Sequence, residues 1–275
     1  MTATPSVSAP ATDDAVIIER HADVALLRLN RPRSRNALSA EIKAGLEQAI
    51  PALMADRAVR CVVITGTDEA FCAGGDITNM SERDAPAVRA RMLRSHAWVK
   101  CILTGEKPVV AAVNGAAAGA GFSLALLCDL VLVADSAFFR PAFPGLGAAP
   151  DLGLALTLPR AIGTSRAKDI LLTNRRIDAA EAVTLGFARA VVPAAELRAA
   201  ALALASELAA GPATSLGLTK TLVNSAYEPI EAFFATEATA QAVAFGSVEF
   251  GEGVSAFLGK RKPDFRSAAA EKTQI

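Results

Sequence analysis

The sequence carries no surplus of charge of either sign, with 28 Lys and Arg against 28 Asp and Glu. That balance excludes a general attraction to nucleic acid or to an anionic membrane, so any anionic ligand has to be held locally. Cysteine is sparse: Cys61, Cys72, Cys101 and Cys128 form no CxxC pair, which excludes the common metal and thiol-redox motifs. Each lies in or beside an apolar stretch, as buried thiols of a reducing cytoplasm do. Histidine is sparser still, with only His21 and His96. Residues 1–14, MTATPSVSAPATDD, lack both an apolar core and arginine, and read as a disordered tail rather than a signal or transit peptide. The one long, nearly uncharged run, 109–134, is cut by Asn114, its glycines and Asp129 into strand, turn, helix and strand, which argues against a membrane span.

What the chain does have is apolar material for a substantial core, 52% of 275 residues. AVIIE (15–19) and VALLRLN (24–30) predict an opening hairpin, and RCVVITG (60–66), PVVAAVN (108–114) and DLVLVAD (129–135) predict buried strands. Helices are expected over about 39–55, 84–104, 119–128 and 151–162, the first kinked or ended by Pro51. This order implies an α/β fold with a largely parallel sheet and helical crossovers. Beyond about residue 164 strands almost vanish. Asp178 and Glu181 open one helix as a capping pair, and two more follow, stopped by Gly or begun by Pro. The expected layout is a core over 15–200, a helical region over 201–265, and flexible tails at 1–14 and 266–275.

Residues 114–129, NGAAAGAGFSLALLCD, leave the backbone unusually bare. A dinucleotide fingerprint fails because Leu124 stands where its third glycine belongs, and a P-loop fails for want of a lysine. GFSLA (121–125) misses the nucleophile elbow by one glycine, and both histidines precede Ser123, against the hydrolase order. What remains is a strand leading through a Gly/Ala turn into a helix, whose first amides are donors for developing negative charge. AFCAGGDI (70–77) is a second such turn after another strand. Two of them could aim two N–H groups at one oxygen, although ordinary glycine turns packed on a sheet explain either one taken alone.

The spacing of FCAGGDI (71–77), KPVVAAVNGAAAGAGFSLALLCD (107–129) and EGVSAFLGKRKPDF (252–265), with LNRPRSRNALS (29–39), resembles the crotonase, or enoyl-CoA hydratase/isomerase, superfamily. The likeness runs from about Val16 to Phe265. It implies a spiral of β-β-α units with a C-terminal helical region, assembled as trimers or dimers of trimers. It also implies an acyl-CoA substrate whose thioester oxygen is held by the backbone amides of Gly75 and Ala120. Asn36, Ala37 and Leu38, with Ala73, Gly74, Asp76 and Ile77, match segments that surround CoA in the family. No metal or redox cofactor is implied, since the CoA thioester is itself the substrate.

Hydratases of this superfamily carry two glutamates, which fall here at Ser123 and Phe143. Neither residue can exchange protons with water and the α-carbon as hydration requires; Ser123 at most positions a water. One carboxylate remains in the pattern, Asp151, at a position that bears Asp in ring-epoxide isomerases of phenylacetate breakdown, dienoyl-CoA isomerases and certain dehalogenases. VNSAYEP (223–229) and EGVSAFLGKR (252–261) look most like the phenylacetate-type isomerases. The resemblance therefore implies an enoyl-CoA or ring-epoxide isomerase with Asp151 as its single base; Phe122 and Phe143 read either as apolar neighbours that raise its pKa or as plain core residues. The alternatives are an inefficient hydratase or a noncatalytic acyl-CoA-binding homologue. From local sequence alone, Asp151 also reads as a helix N-cap, and His96 as a surface residue.

Overall fold

The computed structural model describes residues 14–79 and 84–271, so the expected N-terminal tail lies, apart from Asp14, outside the described residues. In chain order the strands are β1 (Val16–His21), β2 (Val24–Leu29), β3 (Cys61–Gly66), β4 (Ala70–Cys72), β5 (Val109–Val113), β6 (Ala116–Ala118), β7 (Leu130–Ala134), β8 (Phe138–Arg140), β9 (Ile177–Asp178) and β10 (Ala190–Val192). The helices are α1 (Ala40–Ala55), α2 (Ala85–Thr104), α3 (Ala120–Leu127), α4 (Leu154–Ile162), α5 (Thr164–Thr173), α6 (Ala179–Leu185), α7 (Leu197–Ala210), α8 (Ala213–Asn224), α9 (Ile230–Phe245), α10 (Val248–Leu258) and α11 (Phe265–Glu271).

All five expected strands form and sit in one sheet, ordered β1-β2-β3-β5-β7-β10. Only the β1–β2 hairpin is antiparallel; β3 runs parallel to both β2 and β5, and β7 to both β5 and β10. β3 and β5 are buried along their whole length, which is why they read as unbroken Val/Ile/Ala runs rather than alternating ones. A second sheet, β4-β6-β8-β9, was not expected. Its strands have two or three residues each, AFC, AAA, FFR and ID, too short to show a period. Each central strand of the large sheet is followed by a short strand of the small one and then a helix: β3-β4-α2, β5-β6-α3, β7-β8-α4. This repetition is the β-β-α spiral.

Ser39 caps α1 by accepting from the Ile42 N–H at 3.3 Å, and Asp84 caps α2 by accepting from Ala87 at 3.1 Å. α1 fills the expected range and runs through Pro51 to Ala55, so of the two readings of Pro51 the ending does not hold. Pro51 faces solvent, so water can satisfy the carbonyl that loses its helical donor. Asp178 caps α6 through the Glu181 N–H at 2.8 Å.

The core extends beyond residue 200, because α7 packs on β2, β3, β5 and β7. The following helices are tied to it by polar contacts, most of them partly buried. Arg60 donates to the carbonyls of Ala209 and Gly211 at 2.7 Å, Glu249 accepts from the amides of Ala213 and Thr214 at 2.9 Å, and Lys220 donates to Asp129 at 2.8 Å and to the Ile102 carbonyl at 2.7 Å. The expected tail at 266–275 is helical up to Glu271, capped by Asp264 and tied by Arg266 to Asp23 at 2.8 Å. Among the described residues no single helix is long and apolar enough to cross a membrane.

Close backbone contact joins the two sheets. A Cβ at Gly121 would overlap the Cys72 carbonyl oxygen, and one at Gly115 would overlap the Glu69 carbonyl oxygen. Gly121→Ala should therefore push α3 off β4 and destabilise the fold by on the order of 3 kcal/mol, read as a lower melting temperature by circular dichroism. Unchanged melting would show that this contact has slack.

Candidate active site

The pairing of β4 with β6, Ala70 opposite Ala116, sets two turns side by side. After β4 the chain turns at Gly74, whose φ is +107° and whose added Cβ would stand 2.9 Å from the Ala118 carbonyl oxygen and 3.7 Å from the Ala120 nitrogen. Both the left-handed backbone and the close approach require glycine there. After β6, Gly119 (φ +53°) precedes α3 without any side-chain cap, leaving Ala120 as the first helical residue. An N–H in that position has no intrahelical acceptor. Among the described residues, neither the Gly75 nor the Ala120 amide donates to a protein acceptor outside regular helix and strand bonding. Leu38 fixes the first turn from the other side, its N–H donating to the Gly74 carbonyl at 2.7 Å.

Gly75, Ala120 and Asp151 line one narrow cavity of about 40 Å³. Asp151 reaches it because the chain before α4 takes left-handed conformations at Leu152 (φ +45°) and Gly153 (φ +84°). The first is costly for leucine and turns the carboxylate away from the helix axis. The N-cap reading of Asp151 is thereby overturned. Gly153 occupies the cap position, and Asp151 contributes only its backbone carbonyl, which accepts from Leu154 at 3.1 Å. Its Oδ1 is buried without a hydrogen-bond partner. Burial raises the pKa of this carboxyl above the ordinary range, against the opposing charges of Lys43, His96 and Arg91.

These three basic residues were not expected at the site. Lys43 lies on α1, and Arg91 and His96 on α2, which lines the cavity with Arg91, Met92, Ser95 and Trp98. Positions 91, 92, 95 and 98 are one helical face, a stripe visible in the sequence but not distinguishable there from core packing. His96, taken for a surface residue, is half-buried, and its charge acts on Asp151. Trp98 is 1% exposed and its indole N–H is unpartnered.

Residues 19–268 match the sequence profile described as enoyl-CoA hydratase/isomerase. The chain belongs to that family. The 1,2-epoxyphenylacetyl-CoA isomerase of Escherichia coli is 38% identical, covering 88% of this chain and 94% of its own. A probable enoyl-CoA hydratase of Mycobacterium bovis is 35% identical over 92% of this chain and 98% of its own. Among solved structures, an enoyl-CoA hydratase from Polaromonas sp. JS666 superposes with a TM-score of 0.86 at 37% identity, covering 91% of this chain and 99% of that one.

Within this enoyl-CoA hydratase/isomerase fold, several residues expected around the ligand do other work. Asn36 is fully buried in a left-handed turn (φ +56°). Its amide donates to the carbonyls of Thr67 at 2.9 Å and Ala70 at 2.7 Å, and its Oδ1 accepts from the Arg31 N–H at 2.9 Å and the Thr67 hydroxyl at 3.2 Å. All four of its hydrogen-bonding positions are filled, so it builds the loop before α1 and has none left for CoA. Ser123 is fully buried, with its hydroxyl donating to the Gly119 carbonyl at 3.3 Å, and it does not line the cavity. Phe143 is buried in a short 3-10 turn outside that lining. Phe122 packs in the core on Phe139 and Phe187, ring centroids 5.1 and 5.6 Å away, so of the two readings of these phenylalanines the structure supports that of core residues. Ala37 is buried, Leu38 lines the cavity, Ala73 is half-buried, Asp76 accepts from the Thr78 hydroxyl at 2.6 Å, and Ile77 is 63% exposed.

A carboxyl whose folded pKa is raised binds its proton more tightly in the native state, so its relative stabilisation is full below the unfolded pKa and lost as pH rises through the folded one. Ionised Asp151 thus weakens the fold at neutral pH. Asp151→Asn should melt at a higher temperature than the parent at pH 7, with the difference shrinking as the pH falls through the carboxylate range. A lower melting temperature at pH 7 would mean that the surrounding cations outweigh burial.

Proposed function

We propose that the protein is an acyl-CoA isomerase that moves a double bond from the 3,4 to the 2,3 position, with Asp151 as its only acid-base group. The observation that carries this reading is the composition of the cavity: both free amide donors and one carboxylate line it, while Ser123 and Phe143 do not. In the reaction, Asp151 removes a proton from C2 of a 3-enoyl-CoA, and the C–H electrons delocalise through the thioester to leave a dienolate. The amides of Gly75 and Ala120 donate to its oxygen, in a dry setting where such donors are strongest. Protonated Asp151 then returns the proton to C4 as the double bond settles at C2–C3. A raised carboxyl pKa suits both steps, since the acid and base forms come closer in energy at working pH.

The cavity is about the size of one water's share of the liquid. An acyl chain enters by displacing its flexible wall, the side chains of Lys43, Arg91 and Met92, against the fixed wall of Leu38, Trp98 and the two turns. The relative named as a 1,2-epoxyphenylacetyl-CoA isomerase supports a ring-bearing substrate as the second form of the same chemistry. The family's trimeric assembly is also proposed here. It is supported by the apolar side chains that α8–α10 and their linker leave exposed, including Tyr227, Phe234, Phe245 and Phe257, and sedimentation equilibrium giving only monomer would refute it.

The purified enzyme should convert 3-enoyl-CoA to 2-enoyl-CoA faster than it hydrates 2-enoyl-CoA at every chain length. Asp151→Asn should lower the isomerisation rate on the order of a thousandfold while acyl-CoA affinity, read by calorimetry, holds. Hydration outpacing isomerisation would establish the hydratase reading suggested by many relatives' names; unchanged isomerisation in the variant would remove Asp151 from the chemistry.

A further inference from the structure

Lys43 and Arg91 approach the acyl cavity from different helices and line it together with Asp151. Among the described residues neither forms an ion pair or a hydrogen bond. Other half-buried cations are engaged: Lys107 and Lys220 on backbone carbonyls, Arg60 on two carbonyls, Arg175 on two carboxylates. Lys43 is half-buried and its ammonium is weakened first by that burial and then by the charge of Arg91, with Asp151, Asp76 and Glu47 pulling the other way. The two cations therefore repel one another across a partly dry space, and the single carboxylate that shares the cavity is not bonded to either. Such an arrangement costs stability when empty and is relieved by an anion. On the reading above the neutral thioester directs its oxygen to the Gly75 and Ala120 amides, so the acyl end of the ligand must supply that anion elsewhere along its chain.

We propose that Lys43 and Arg91 read the far end of the acyl group, and that the preferred substrates are acyl-CoAs carrying a second, terminal carboxylate. This rests on the acyl-CoA reading of the cavity given above, though not on the reaction being isomerisation. One charge-assisted hydrogen bond from each cation would distinguish a carboxylate from a methyl terminus. The long, retractable side chains of lysine and arginine would let the pair follow the chain end as the cavity opens.

Binding can be measured without turnover by using saturated thioesters. Calorimetry on the full-length protein would compare adipyl-CoA with hexanoyl-CoA, and suberyl-CoA with octanoyl-CoA. The dicarboxylic member of at least one pair should bind on the order of tenfold more tightly, and that ratio should fall toward unity in Lys43→Met and Arg91→Met. Equal or weaker binding of the dicarboxylic member in both pairs would overturn the proposal without reference to any variant. So would variants that weaken both members alike, since the cations would then be serving the CoA portion the two share. Because the readout is affinity, a failure of the isomerase assay leaves this test standing.

Discussion

Everything at the site depends on how closely two stretches of backbone lie against each other. The turn after β4 and the start of α3 meet with no side chain between them, because Gly74 and Gly121 remove the Cβ atoms that would separate them, as Gly115 does where the chain entering β6 meets Glu69. That contact fixes the Gly75 and Ala120 amides relative to one another without either being used up in a protein hydrogen bond outside regular helix and strand pairing. Donors held in this way need little rearrangement when charge develops on a substrate oxygen, which is the main source of their catalytic value. The small second sheet exists to make the contact, since β4 and β6 pair in parallel immediately before their turns.

Around this rigid wall the remaining parts are arranged with deliberate strain. Leu152 adopts a left-handed backbone and Asp151 keeps a carboxylate oxygen buried and unpartnered. Both cost stability, and both accompany the placing of the Asp151 carboxylate in the cavity that Gly75 and Ala120 line. The rest of the molecule compensates through the fully buried parallel strands β3 and β5 and the cross-links from Arg60, Glu249 and Lys220 to the C-terminal helices.

Five of the six strands of the large sheet were legible because each is a run of β-branched or apolar residues long enough to recognise, whereas the three-residue β10 was not; α1–α3 were legible because Ser39, Asp84 and the Gly119 turn mark their starts. The small sheet was not, since two or three residues of Ala or Phe carry no period. The glycines were legible as bare backbone, but their cause was only half visible. Gly121 and Gly115 serve packing against β4 rather than ligand access, whereas Gly74 serves the turn itself. Asn36 was placed at the ligand by its position in the motif, and the structure shows its amide spent on the loop. Lys43 and Arg91 were missed because a charged residue on an amphipathic helix reads as solvated; only the tertiary fold brings the two to one cavity.

The Gly75 and Ala120 amides should both donate to the thioester oxygen of a bound acyl-CoA. Infrared difference spectroscopy of hexanoyl-CoA, labelled with carbon-13 at its thioester carbonyl and bound to the Asp151→Asn variant, reads that interaction directly without turnover. The labelled carbonyl stretch should move to lower frequency than in water, and Ala120→Pro, introduced into the same variant and checked for folding by circular dichroism, should reverse most of the shift. A bound carbonyl with the frequency it has in water, or a shift untouched by Ala120→Pro in a folded protein, would contradict donation by the two amides.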